Sequence, residues 1–548
     1  MTTRTRQSAV DRLAAMGAED ILVVAPAGCG KTQALAQRAA RLINEDVVTA
    51  PRKILALTFS NKARDNLASR LRELLPPTAR ARVTVTNFHG LAGRLVRAHG
   101  AVIGIDPAQP FPERGSHQRL RAAAGLNYRT ARAATATAEQ ALAAAKSQLW
   151  DDEQVMVQLT ASGSHLAVAY EQTLREAHHI DYDDLLRYGA RLLADPRVAR
   201  LYREHFAVVL VDEVQDLSPL QLGMAQAIGA GRTTYAGDPA QGIYSFAGAR
   251  PAKVFATIRT ANPAEVELDV SYRSSPPVLQ AVNQLAAELG ATQLRCANPD
   301  NWGDDCRVDL RVYTDTAAEA DALVAAVQQE LTEKPNRTVG IMARNFRRIA
   351  GVVAALDRAD VDYQDWYQPT MVPQIAELLH LHLPEALSAS TDRAEQLSEL
   401  ERLCRGHLPP DDVQALDELS IATEALSDRI AASPLAQTLA AFRPHTRTDE
   451  PVPPGLHLLT GHAGKGQEFD VVYVVGLEEG SIPDFRNIKG EVLTEELRVL
   501  HVMASRARRR LVFTRVEHRW RTPTWLAPEQ PSRWWALLNQ GQKRIHGR

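Results

Sequence analysis

Short runs of β-branched and aliphatic residues recur along the chain, each closing on small or charged residues. The first series reads "ILVVA" from Ile21, "KILALTF" from Lys53, "RVTVTNF" from Arg82, "FAVVLVDE" from Phe206 and "TTYAGD" from Thr233. A second series follows: "RVDLRVY" from Arg307, "TVGIMAR" from Thr338, "LHLLTG" from Leu456, "VVYVVGL" from Val471 and "RRLVFTRV" from Arg509. Nearly continuous apolar strands alternating with helical stretches predict parallel sheets covered on both faces, since a strand buried on both sides has no polar face to show. Two series predict two α/β cores.

Each core is interrupted by a helical insertion. The first, 101–200, follows the connector "GIDPAQPFPERGS" and contains "TARAATATAEQALAAAKSQLW", whose alanines favour helix. The second, 371–450, has leucines at helical spacing in "IAELLHLHL" and "EQLSELERL" and ends in the proline-rich "RPHTRTDEPVPPG". The expected domains are therefore 1–100 with 201–283, and 284–370 with 451–548, carrying insertions 101–200 and 371–450. The C-terminal "WLAPEQPSRWWALLNQGQKRIHGR" is expected to be a terminal helix with a basic tail.

Composition narrows the function classes. At 548 residues with 45% hydrophobic content, the chain has room for several cores. Lys plus Arg (63) nearly balances Asp plus Glu (65), giving a net charge of -2, so any nucleic-acid contact must be local rather than a global basic field. The N-terminal stretch has no apolar signal region, and no apolar run approaches the ~20 residues of a membrane span, which predicts a cytoplasmic protein with no membrane partner. Cys29, Cys296, Cys306 and Cys404 lack metal-ligand spacing and read as reduced thiols.

The chemistry concentrates in "APAGCGKT" from Ala25, which joins the strand "ILVV" to a helical stretch. That context suits a phosphate loop: backbone N–H groups at Ala27, Gly28, Cys29 and Gly30 and the helix N-terminus surround the phosphates, Lys31 reaches the β and γ groups, and the Thr32 hydroxyl binds Mg²⁺. Ala25 stands where the opening glycine is usual. It is tolerable, because Gly30 and Gly28 supply the backbone freedom. Downstream, "VVLVDE" places Asp212 at a strand end to hold Mg²⁺ and Glu213 beside it to polarise the attacking water.

From "VDEVQD" onward the chain resembles the superfamily 1A DNA helicases of the UvrD, Rep and PcrA type. "TFSNKARDNLASRL" from Thr58 resembles motif Ia and "TNFHGLAGRLVRAHG" from Thr86 motif Ib. "AGDPAQGIYSFAGA" from Ala236 resembles motif III, "SYRSS" from Ser271 motif IV, "TGHAGKGQEFDVVYVVGLEEGSIP" from Thr460 motif V and "EELRVLHVMASRAR" from Glu495 motif VI. The ordered set, more than any single stretch, carries the likeness. It implies two RecA-like motor domains of α/β class, each with a mostly helical insertion. It further implies that Gln7 reads adenine, Tyr272 stacks on it and Glu468 meets the ribose. Arg273 and Arg506 become arginine fingers from opposite cores, and Gln241 reports the γ-phosphate to the DNA. The implied DNA track is Phe59, Asn61, Lys62, His89, Tyr244, Phe246, Arg344 and His462.

Three departures from the pattern stand out: Gln33 where an arginine usually flanks adenine, Phe246–Ala247 where tryptophan–arginine is usual, and His501 where tyrosine is common. The expected activity is an ATP- and Mg²⁺-dependent 3′ to 5′ translocase and helicase acting on single-stranded DNA and single/double-strand junctions, with a repair protein as a candidate partner. The alternative is a DNA-sensing ATPase subunit that regulates a partner nuclease, as in Gabija-type phage defence, without processive unwinding.

Overall fold

The computed structural model describes residues 9–106, 128–176, 178–245, 248–366, 373–409, 413–430, 434–440, 452–522 and 525–539. Its frame is two six-stranded sheets, parallel throughout. The first holds β1 (Ile21–Val24), β2 (Lys53–Thr58), β3 (Val83–Asn87), β4 (Phe206–Val211), β5 (Thr233–Gly237) and β6 (Ala264–Glu267), in the order β3-β2-β4-β5-β1-β6. A two-strand ladder of β7 (Val270–Ser271) and β8 (Arg295–Cys296) follows. The second sheet holds β9 (Arg307–Tyr313), β10 (Thr338–Ala343), β11 (Tyr363–Asp365), β12 (Gly455–Thr460), β13 (Phe469–Val475) and β14 (Ala507–Val516), in the order β11-β12-β10-β13-β14-β9.

The inner strands β1, β2, β4, β10 and β13 are largely apolar because both faces of each sheet are covered. Ile54, Ala56, Val208 and Leu210 pack into one core of the first lobe, while their neighbours Leu55, Leu57, Val209 and Val211 pack into the other. The second lobe repeats this: Met342, Val472, Val474 and Phe513 face one core, and Ile341, Ala343, Val471 and Val512 the opposite one. Alternate side chains point to opposite faces of a strand, so this division follows directly from the period of two.

The first insertion builds a small core from the helices Tyr128–Lys146, Asp152–Ala161 and His165–Glu176. The next helices, Tyr182–Ala194 and Pro196–His205, instead contribute Leu185, Leu192, Leu193 and Val198 to the first lobe's core. Lys146 joins the two regions: its fully buried ammonium lies 2.8 Å from Glu171, 2.6 Å from Asp181 and 2.8 Å from Asp184. The second insertion, Pro373–Ala389, Arg393–His407, Val413–Ile430 and Leu435–Ala440, packs around Leu379, Leu400, Leu419 and Leu426.

The C-terminal expectation is corrected. The segment from Trp525 begins not as a helix but as β16 (Trp525–Pro528), antiparallel to β15 (His518–Thr522), and helix appears only at 535–539. Trp525 and Leu526 are β formers opposite Thr522 and Trp520, so cross-strand pairing overrides the local pattern. The basic tail lies outside the described residues. No described helix is long and apolar enough to cross a membrane.

Candidate nucleotide cleft and nucleic-acid track

β1 ends at Val24, and Ala25 N–H donates to Gly237 O at 2.9 Å before the chain turns through Pro26–Gly30 into the helix Lys31–Asn44. Gly28 and Gly30 adopt φ of 85° and 74°, a region only glycine enters without strain. Gly28 is constrained twice over, since a Cβ there would lie 2.7 Å from Arg273 Cβ and 2.9 Å from Ser271 Oγ. Ala25 is buried and packs into a core of the lobe while also bordering the loop's cavity. Burial pushes the Cys29 thiol up to about 12, which leaves it an inert spacer.

The loop closes on the end of β4. Thr32 Oγ1 donates to Asp212 Oδ2 at 3.1 Å, and Lys31 Nζ lies 3.5 Å from Asp212 and 2.5 Å from Glu213. A hydroxyl and a carboxylate side by side at a loop that gathers N–H groups suit one hard cation with phosphates beside it. Glu213 adopts φ 57°, the left-handed region, which bends its carboxylate out of the line of β4; Gln215 Nε2 donates to it. Burial works against both charges of this pair. The carboxylates nonetheless hold Lys31 above its ordinary value, and Lys31 and then Lys465 hold Glu213 down to about 2. For Asp212 burial prevails, and its carboxyl is raised despite Lys31.

Cations arrive from both lobes. Arg273, just after β7, and Arg506, just before β14, line one cavity of about 370 Å³ together with Lys31, Thr32, Glu213 and Gln241. Arg506 is buried, donates to Val502 O at 2.9 Å and Ser505 Oγ at 2.8 Å, and reaches Gln241 Oε1 at 3.4 Å. Burial, and then the neighbouring charge of Arg273, lower its guanidinium to about 9. Arg273 is held by Glu468 at 2.9 Å, and Arg508 reaches the same carboxylate at 3.4 Å, so Glu468 ties motif IV to the second lobe. Tyr272 beside it is 64% exposed. Gln33 also borders the cavity.

A second cross-lobe cation was not visible as such in the sequence. Lys465 of the second lobe lies 2.6 Å from Asp216 and donates to Gln241 O at 2.7 Å, and its ammonium is 4.7 Å from the Tyr244 ring centroid. One side chain thus touches the acidic strand end, the backbone of Gln241 and an aromatic of the proposed track. Burial raises Asp216 to about 6 even with Lys465 opposing it. Asp238 completes the group: it accepts from Gln241 Nε2 at 2.6 Å, and its own N–H donates to Gln215 Oε1 at 3.0 Å. The signal in the sequence was a lysine between two glycines in "AGKGQ"; its target was not readable because Asp216 lies 249 residues away.

The track residues form a partial row. Phe59 stacks on Tyr244 (centroids 5.8 Å apart, planes 16°), and Tyr244 meets His462 of the second lobe at 6.3 Å. Burial, then Arg344, hold His462 down to about 4, so its imidazole is neutral near pH 7. Asn61 accepts from Asn87 Nδ2 at 2.7 Å, joining motifs Ia and Ib, and His89 packs edge-on to Tyr182 at 5.2 Å. Arg344 forms a two-pronged pair with buried Glu496, at 2.8 and 2.9 Å. Gln7, Phe246 and the side chain of Lys62 lie outside the described residues.

Comparison with known proteins agrees with this geometry. The profile of the UvrD/REP helicase N-terminal domain matches residues 6–261, and that of the UvrD-like helicase C-terminal domain matches residues 411–518. Among curated proteins, the "ATP-dependent DNA helicase UvrD2" of Mycobacterium tuberculosis is 27% identical, the match covering 90% of this chain and 76% of that protein. The "ATP-dependent DNA helicase UvrD1" of the same organism is also 27% identical, over 93% of this chain and 82% of the relative. "DNA helicase II" of Escherichia coli is 25% identical over 91% and 83%.

Proposed function

The chain belongs to the UvrD-type DNA helicase family, and from that premise we propose that it is an ATP-driven motor that moves 3′ to 5′ along single-stranded DNA and opens adjacent duplex. In this reading the lobes are 1–100 with 201–283 and 284–370 with 451–548. The observation that carries it is the shared cleft: the phosphate loop and carboxylates belong to the first lobe, while Arg506 and Lys465 enter from the second.

ATP binds with its phosphates against the loop and Lys31, between Arg273 and Arg506. Thr32 and Asp212 would hold Mg²⁺, which would supply charge shielding on the phosphates. Glu213, held ionised by Lys31 and Lys465, orients the water and accepts its proton as the water oxygen attacks the γ-phosphorus and the bond to ADP breaks. The two arginines stabilise the charge developing on the transferred phosphoryl group. Loss of that charge removes what draws the lobes together, and because Lys465 also contacts Tyr244, lobe movement is passed to the stacked strand.

The test is unwinding of duplexes with a 3′ or a 5′ tail, with Glu213→Gln as control. Unwinding of the 3′-tailed substrate alone, abolished by the substitution, supports the proposal. DNA-stimulated turnover with no unwinding on either tail favours the nuclease-regulating alternative.

A further inference from the structure

The second insertion stands on a small core of its own. Its helices pack in a cluster separate from the cores of the two lobes, and units below about 70–80 residues commonly carry a staple such as a disulfide or a metal. Inside it, His382 on the helix Pro373–Ala389 meets His407, the last residue of the helix Arg393–His407. The ring centroids lie 4.4 Å apart, with planes inclined by 46°. His382 is 8% exposed, and its Nε2 is buried with no hydrogen-bond partner among the described residues. Buried polar atoms are rarely left so, and an ion is one partner that satisfies them.

The other ring nitrogens are already engaged or directed. His407 Nδ1 faces Leu403 O at 3.2 Å, and His382 Nδ1 lies 4.0 Å from the Glu385 carboxylate. A proton held at Nδ1 by a carbonyl or carboxylate leaves the lone pair on Nε2, as in metal-ligating histidines. The helix end at His407 also favours a cation, because its last carbonyls lack intrahelical partners. Arg402 and Arg405 on the same helix are each paired, with Glu399 and Glu401. One turn before His407, burial pushes the Cys404 thiol up to about 12, so the donors are imidazoles rather than a thiolate. With Zn–N bonds of about 2.0–2.1 Å, two imidazoles on one ion hold their centroids roughly 4.5–5 Å apart, so the pair needs to open only slightly. Glu171, Asp181 and Asp184 also lie close enough together for a metal, but there the Lys146 ammonium already fills the space. We propose that His382 and His407 bind one transition-metal ion of the Zn²⁺ class through their Nε2 atoms, with water in the remaining positions, stapling the first two helices of the second insertion together. The proposal does not depend on the motor reading.

The test is calorimetric titration of Zn²⁺ into the full chain, carrying no histidine tag, stripped with chelator and then saturated with Mg²⁺ and ADP so that the phosphate loop is occupied. The variants are His407→Ala, His382→Gln and, as control, His380→Ala, whose ring turns instead to Ala376 O at 2.7 Å. The expected result is one equivalent bound by wild type and by His380→Ala, with affinity at least ten-fold lower in the other two, since even the outer partners of a ligating histidine contribute about 10- to 100-fold. Zn²⁺ should also raise the melting temperature of wild type and not that of His407→Ala, because an ion that binds only the folded state stabilises it. His407 is exposed, so that variant should fold and keep wild-type DNA-free ATP turnover even if His382→Gln does not. No bound equivalent in wild type, or one bound equally well by wild type and His407→Ala, would overturn the proposal.

Discussion

The two lobes share an architecture and divide the chemistry unequally. Both are six-stranded parallel sheets with a core on each face, and both send loops from the carboxyl ends of their strands. Only the first turns β1 into a phosphate loop with two carboxylates waiting at the end of β4. The second offers side chains alone: Arg506 to the phosphate site, Lys465 to the acidic strand end, His462 to the aromatic row. The difference teaches that neither lobe holds a complete site. In the proposed motor, the chemistry is finished only when they meet, and that is how a chemical step would become a movement.

That division breaks most visibly if the second lobe's cation is removed. Arg506→Ala should lower kcat by about 10³-fold or more with little change in KM, since arginine fingers act on charge that appears in the transition state. Steady-state ATP turnover with saturating single-stranded DNA reads it, and Arg506→Lys should rescue poorly because a point charge lacks the planar fork. A loss under ten-fold would mean that the first lobe works alone. Glu213→Gln is the matching change on the other side. It keeps the shape but loses the base, and should cost about 10²- to 10⁴-fold in kcat while ATP binding persists.

Lys465→Met sharpens the comparison at the joint. Asp216 is left buried without its partner, and DNA stimulation of turnover should fall about ten-fold, within the range of ordinary coupling energies, with DNA-free turnover changed less. Equal loss in both would make Lys465 a structural tie only. The smallest expected effect is a pH dependence. Asp216, raised from 3.8 to about 6 chiefly by burial, is ionised above that pH and loses its charge below it. Its raised folded value means that protonation between about 4 and 6 favours the folded state, so the acid limb should be one of coupling rather than of unfolding. DNA-stimulated turnover should decline as pH falls through about 6, and Asp216→Asn should flatten that limb.

Much of the frame was legible because buried parallel strands advertise themselves as apolar runs. β6 and β11 were missed for the converse reason: "AEVE" and "YQD" are edge strands, exposed or half-buried, and carry no such run. β16 was misread because aromatic and aliphatic residues near a chain end fit helix and strand alike until a partner strand decides. Within the site, the phosphate loop was readable as one strand–turn–helix unit, and the carboxylates as the charged end of a separate apolar strand. Lys465, Asp216 and the Arg273–Glu468 pair were not assigned to each other, because contacts between lobes have no local signature.

The most direct test of a motor built from two half-sites is arrival time on a single strand. Protein bound to oligothymidylates of increasing length, with a fluorophore at one end, is mixed rapidly with ATP and heparin. A lag that lengthens in proportion to strand length for the 5′ label, with none for the 3′ label, and that disappears in Arg506→Ala, is the expected result. ATP turnover with no length-dependent lag at the 5′ end would contradict it.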